Sequence, residues 1–231
     1  MDVLITGCDT DRGRIIAENF SAAGHRVIVA GRRADDVELL AKELETDLGA
    51  GLGTGAVVVD TTDPASIAAA ARQLPAHIDT VINVPAPRIP DGDPRAYTLA
   101  DRAAEWRGIF DAGLLSAVLT VQTLGDQLRS GGSIVTVIDD AQQEGGAAAA
   151  VKAAVSTWTA GQAHYFGVRG ITVNAVAIGR GAEPGYEGLG TASPTVDAEI
   201  ARLALFLTTP SARHITGQTL HVSHGALANF G

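Results

Sequence analysis

Short runs of β-branched and aliphatic residues alternate along this chain with longer segments of helical pattern, and that alternation leaves few folds open to it. The runs are Asp2 to Thr6, Arg26 to Ala30, Ala56 to Asp60, Thr80 to Val84, Ser133 to Ile138, Thr172 to Ile178 and Thr219 to Val222. Strands that take turns with helices build a parallel sheet covered on both faces. Gly13 to Ala23 is expected to be helical, with Gly24 as a left-handed stop that a Cβ would strain. Asp2 to Ala30 thereby forms one βαβ unit. Asp63-Pro64 reads as a helix start, because the carboxylate caps free amides and the proline stands where its missing N–H costs nothing. Helices from about Leu99 to Leu128 and from Ala147 to Phe166 close two later crossovers. The expectation is one doubly wound α/β domain over 1–231, a Rossmann-type parallel sheet of about seven strands with helices on both faces.

Composition narrows the function classes. A chain of 231 residues holds one domain with a full core and is too short for separate cofactor and substrate domains. With 46% hydrophobic but only 4% aromatic residues, that core must come from Ala, Val, Ile and Leu. The 17 basic residues are scattered and outnumbered by 26 acidic ones, a net charge of −9, which argues against a nucleic-acid or anionic-membrane surface. Cys8 is the single cysteine, so no intrachain disulfide forms. His221 and His224 stand three apart on an extended run and face opposite sides, and no metal site is expected. Val3-Leu4-Ile5 running straight into Thr6-Gly7 reads as a first strand and not as a targeting segment. No stretch approaches the roughly 20 apolar residues of a bilayer span. A cytoplasmic location is the expectation.

Two segments break the regular pattern, Pro85 to Arg95, with four of the nine prolines, and the glycine-rich Gly179 to Pro194. Both follow strands at their carboxyl ends, where open parallel sheets bind ligands, so both are candidate rims of a cleft. The Gly49 to Gly55 run follows a helix and precedes a strand, the reverse of a phosphate loop, and reads as a surface connection.

Val3 to Gly7, RVIVAGRR at Arg26 to Arg33, VVVDTTDP at Val57 to Pro64, GITVNAVA at Gly170 to Ala177 and GQTLHV at Gly217 to Val222 together resemble the short-chain dehydrogenase/reductases, closest in texture to the bacterial ketoacyl-reductase-like members. The resemblance spans essentially the whole chain. It implies that the turn Thr6-Gly7-Cys8-Asp9-Thr10-Asp11-Arg12-Gly13 corresponds to the family's T-G-x-x-x-G-x-G, which cradles a cofactor diphosphate. Gly7 and Gly13 are kept, but the middle glycine is Asp11. A carboxylate there, with Asp9 two residues before it, is expected to cap the helix itself and to repel the diphosphate, with Arg12 and Arg14 offsetting part of the repulsion. Cys8 is expected to pack in the turn. Arg32 and Arg33 close the second strand with no acidic residue to hold ribose hydroxyls, which favours NADP over NAD. Asp60 matches the family aspartate at the adenine. Asn83 keeps the first place of the family's N-N-A-G, here Asn83-Val84-Pro85-Ala86, and Gly179 stands after the sixth strand. NADP or NAD binding is implied in a weakened form, with no metal required.

The catalytic positions depart further. The family reduces carbonyls with a tyrosine whose pKa is lowered by a lysine four residues later on one helical face. The only lysines are Lys42 and Lys152, preceded at that spacing by Glu38 and Ala148. Lys152 lies in the expected helix, so Ala148 occupies the tyrosine position. Asp140 corresponds to the family serine and Gly113 to the family asparagine. An Asp140 to Lys152 ion pair is expected to fill the place where tyrosine, serine and substrate would meet. Tyr165 reads as helix-end packing, and Tyr97 and Tyr186 as loop residues. The leading reading is a divergent member that has lost ordinary carbonyl/alcohol oxidoreduction and serves as a binding, regulatory or structural subunit. It would form a homodimer or homotetramer through its two long helices, or pair with an active homologue. The Ala-rich helix face at Ala147 to Ala154 fits such an interface and fits packing on its own sheet equally. The alternatives are an NADP-dependent ketone or ketoacyl reductase with a non-standard proton donor, such as a bound water or Tyr186, and an enzyme of non-redox chemistry on the same fold.

Overall fold

A computed structural model of the chain describes residues 1–48, 53–87, 93–138, 146–178 and 195–222. Its strands are β1 (Asp2–Ile5), β2 (Arg26–Gly31), β3 (Gly55–Val58), β4 (Ile78–Asn83), β5 (Leu128–Ile138), β6 (Thr172–Ile178) and β7 (Thr219–Val222). They form one seven-stranded sheet in the order β3-β2-β1-β4-β5-β6-β7, with every neighbouring pair parallel. The order reverses direction between β1 and β4, and a crevice opens at the carboxyl ends of strands flanking such a reversal. The helices are α1 (Asp11–Ala22), α2 (Ala34–Leu48), α3 (Pro64–Ala71), α4 (Leu99–Phe110), α5 (Ser116–Leu124), α6 (Ala147–Gly167) and α7 (Val196–Leu207).

The near-continuous apolar strands follow from burial on both faces. Val3, Ile5, Val27 and Val29 pack with Ile16 and Phe20 of α1, Leu40 of α2 and Ile200 of α7 on one side. On the other, Leu4, Ile28 and Val81 meet Ile67 of α3, Val121 and Leu124 of α5, and Phe166 of α6. A third, smaller cluster joins Ile138, Ala175 and Ala177 to Val151 and Val155 of α6, with Ile109, Phe110 and Leu114 against it.

The chain starts its helices where the sequence places capping groups, with one shift. Asp63 accepts the Ala65 amide at 3.0 Å ahead of Pro64, as expected. Helix α1 begins at Asp11, two residues before the expected Gly13, because Thr10 is its N-cap. Gly24 follows that helix at φ 81°. Strand β5 begins five positions before the expected Ser133. Its pairing with β4 shifts register between Ile78 and Thr80, opposite Gly131 and Gly132. Glycines inside a strand mark such irregularities, and here they hid the strand's first half from a pattern reading.

The expected helix from Leu99 runs as one rod through Gln127, but five residues, Asp111–Leu115, form a π turn within it. The Ser116 amide reaches back to the Asp111 carbonyl, and the Ser116 hydroxyl donates to the Ala112 carbonyl. The rod of 29 residues, with mean hydropathy 1.3 in its most apolar stretch, passes for a bilayer span by length and composition only. Its second half, α5, buries Ala117, Thr120, Val121 and Leu124 as a core helix of this sheet.

Candidate active site

The turn after β1 is fixed by close approaches that only glycine permits. Gly7 stands at φ 65°, and a Cβ on it would run into the Val84 carbonyl of the neighbouring strand end. A Cβ on Gly13 would strike the Gly7 carbonyl. Thr6 ties β1 to β4 across the topological reversal: its amide donates to the Ile82 carbonyl at 3.0 Å and its Oγ1 accepts the Val84 amide at 3.1 Å. Thr10 Oγ1 donates to the Gly7 carbonyl at 2.7 Å and accepts the Gly13 amide at 3.1 Å. The turn therefore keeps the shape of a diphosphate cradle. The first-turn amides of α1 have no partners inside the helix and face that edge.

Thr10, and neither aspartate, supplies the helix cap, which corrects the expectation. Asp11 stands exposed in the first turn of α1. Arg12 Nε is directed to Asp197 Oδ1 of α7 at 2.7 Å, and Arg14 pairs with Glu43 of α2. Cys8 packs as expected: it is buried, its amide donates to the Ala30 carbonyl at 2.9 Å and its Sγ to the Ile5 carbonyl at 3.2 Å. Burial pushes its thiol up to about 12, overriding any lowering by the helix start.

Asp9 has gone instead to the end of β2. Its side chain is only 3% exposed. Oδ2 accepts the Arg32 amide at 3.4 Å and lies 3.8 Å from Arg32 Nε and 3.9 Å from Arg33 Nε. Arg33 also donates to the Asp9 carbonyl and pairs with Asp36 at 2.5 Å. Oδ1 is buried with no hydrogen-bond partner. The carboxylate rests over Gly31, where a Cβ would stand 2.6 Å from Oδ1. Beside it, past β3, Asp60 accepts from the Thr62 amide at 3.0 Å and hydroxyl at 2.7 Å, and its own amide donates to Ser66 at 2.9 Å. Asn83, buried at the end of β4, donates to Thr136 Oγ1 at 3.3 Å, leaving its Oδ1 buried without a partner. The sheet order brings Thr6 to Gly13, Arg32, Arg33, Asp60 and Asn83 to one edge. A pattern reading counted acids on the second strand alone and so missed that the turn lends it one.

Three expected catalytic positions lie on adjoining helical segments. Ala148 and Lys152 lie one turn apart on α6, both half-buried. Gly113, in the π turn, faces the residue next to the lysine: a Cβ on Gly113 would stand 2.6 Å from Val151 Cγ1. Val151 thus fills the place where an asparagine side chain would start, and no spacing in the sequence announces it. Asp140 and Gly179, and with them the expected Asp140 to Lys152 pair, lie outside the described residues, as do Tyr186 and His224. Tyr165 meets Phe166 edge-on at 5.2 Å but is 68% exposed, so it is a surface ring more than a packed one. Tyr97 lies in a loop with the Arg102 guanidinium 5.2 Å over its ring.

A doubly wound parallel sheet with a two-glycine turn at its reversal is the class of fold that dinucleotide-binding domains share. A family model described as enoyl-(acyl carrier protein) reductase matches residues 12–226. The chain belongs to the short-chain dehydrogenase/reductase family. It is 59% identical, over the full length of both chains, to a protein of Mycobacterium tuberculosis whose name assigns it provisionally to the oxidoreductases. It is 28% identical to the short-chain reductase protein NovJ of Streptomyces niveus, over 96% of this chain and 92% of that one. Among solved structures, a short-chain dehydrogenase of Burkholderia cenocepacia in complex with NADP aligns over 96% of this chain and 95% of its own, with a TM-score of 0.76 at 24% identity.

Proposed function

We propose that this chain binds a nicotinamide dinucleotide along the carboxyl edge of β1 and β2 but performs no tyrosine-type carbonyl reduction, serving as a binding or regulatory subunit. The observation that carries the second half is the pair Ala148 and Gly113. Reducing a ketone places negative charge on its oxygen, and a proton donor must stand within hydrogen-bond reach. A methyl group one turn before Lys152 donates nothing, and Val151 closes the asparagine position beside it. The two departures fall on segments packed against each other.

The residues of the turn fit a dinucleotide. Gly7 and Gly13 keep the backbone close enough to make a cradle, and Asp9 Oδ1 is a buried acceptor awaiting a donor. Thr6 to Gly13 would hold the diphosphate, Asp60 the adenine end and the Asn83 strand end the middle of the molecule. When bound, the nicotinamide supplies a hydride-exchanging ring. Lys152, with Ala148 one turn before it in place of a tyrosine, would orient a ribose hydroxyl or a bound anion. That a short-chain dehydrogenase of the same fold from Burkholderia cenocepacia was solved in complex with NADP supports the dinucleotide reading.

The long helices suit a second subunit. Helix α4 has no fully buried residue, and Trp106, 43% exposed, stacks on Phe110 at 6.1 Å and 17°. A second copy, or a homologue bearing the tyrosine, is the partner such a face would take.

The retained Lys152 and the 59% identical relative favour a second reading, a reductase with an unusual proton donor. Isothermal titration with NAD and NADP, followed by NADH and NADPH oxidation over a ketone panel, separates the two. Saturable binding without ketone-dependent oxidation is expected. Ketone-dependent oxidation that disappears in Lys152→Met would overturn the non-redox reading and establish the second.

A further inference from the structure

The sequence puts two arginines and no acid at the end of β2, a pattern that selects a ribose 2′-phosphate. The structure rearranges those charges. The Asp9 carboxylate, reaching over from the turn, stands where a side chain on residue 31 would be, as the 2.6 Å approach of Oδ1 to a Gly31 Cβ shows. An acid at the end of the second strand is the group that receives ribose hydroxyls in dinucleotide folds. We propose that Asp9 is the specificity-determining residue of this site and makes the chain prefer NAD, with its free 2′-hydroxyl, over NADP. This assignment rests on the dinucleotide-binding reading above.

Two features carry it. Asp9 Oδ2 is satisfied by the Arg32 amide, whereas Oδ1 is buried and lacks a donor. A buried acceptor without a donor is costly, and a hydroxyl brings one while a phosphate dianion brings none. The arginines, meanwhile, are already balanced. Arg32 and Arg33 face Asp9, and Arg33 also holds Asp36, two positive charges against two negative. A 2′-phosphate would find this positive charge compensated and a fixed carboxylate beside it. Arg33 is 66% exposed, so it can swing aside for a ribose while Asp9 stays in place.

The test is titration of the full chain with NAD and NADP, alongside 5′-AMP and adenosine 2′,5′-bisphosphate, which carry the same difference on the ribose alone. Wild type is expected to bind NAD about tenfold or more tighter than NADP, and 5′-AMP tighter than the bisphosphate, as a like charge a few ångströms away requires. Asp9→Asn keeps the acceptor for the Arg32 amide and removes the charge, so the NAD to NADP ratio should fall by about tenfold or reverse. Adding Arg33→Gln to Asp9→Asn should take that NADP gain away. The wild-type comparison stands even if the variants fail to fold. NADP binding as tight as NAD in wild type would overturn the proposal and leave dinucleotide binding intact. Absence of binding by all four ligands would overturn both.

Discussion

Replacing Gly113 by alanine probes the contact that closes the asparagine position. A Cβ there would stand 2.6 Å from Val151 Cγ1, whereas carbon atoms rest about 3.5–4.0 Å apart, so roughly 1 Å of displacement is demanded inside a packed helix pair. Overpacking of this kind costs about 1–3 kcal/mol, against about 1 kcal/mol gained because alanine favours helix over glycine. Val151→Ala alone removes two buried methyl groups and should cost about 2–3 kcal/mol with its cavity. In that background the new methyl of Gly113→Ala has room, so the substitution should stabilise by about 1 kcal/mol. The coupling between the two sites should be about 1–3 kcal/mol in favour of the double variant. Urea unfolding of the four proteins, with m unchanged across the set, measures it. If Gly113→Ala has the same effect in both backgrounds within about 0.5 kcal/mol, Val151 does not fill that place and the closure of the site is refuted.

Thr10→Ala should cost about 1 kcal/mol in the same assay, since Thr10 and neither neighbouring aspartate caps α1; no loss would return that role to Asp9 or Asp11. The Cys8 thiol should resist a disulfide reagent at pH 8 in the native chain and react fully once unfolded, because burial holds it up at about 12. His25 is lowered by burial first and by the nearby amino terminus second, so its imidazole stays neutral in the fold at pH values where the unfolded chain already binds a proton. Stability should therefore be full above about pH 7 and decline as the pH falls below the ordinary histidine range, and His25→Gln should flatten that decline; an unchanged slope would remove His25 as its source.

The fold was legible because it is written in periodicity. The β-branched runs at Val27 to Ala30 and Thr172 to Ile178 carry their own burial on both faces, and the Asp63-Pro64 pair declares a helix start locally. Strand β5 was legible only from Ser133, since Gly131 and Gly132 interrupt the pattern that side chains would have made. At the site, the chain positions could be read but not the neighbours they acquire. Lys152 and Ala148 are set by helical spacing. Val151 opposite Gly113, Asp197 on Arg12 and Asp9 over Gly31 are long-range encounters decided by the sheet order, and residue identity alone gives no hint of them. Asp9 and Asp11 are as plausible a cap as Thr10 by residue type, because Ser, Thr, Asn and Asp all serve there; in the fold Thr10 takes the cap and the Asp9 carboxylate crosses to β2.

The wide turn at Asp111–Leu115 takes up one residue more than a regular helix would. In an uninterrupted rod, one additional residue would rotate everything beyond it by about 100° and carry α5 out of its seat. The joint absorbs that offset, so the outward half bearing Trp106 and the inward half bearing Val121 run out of phase without penalty. The outer half can therefore turn Trp106 outward while Phe110 packs beside α6, and the inner half continues to answer to the strands beneath it.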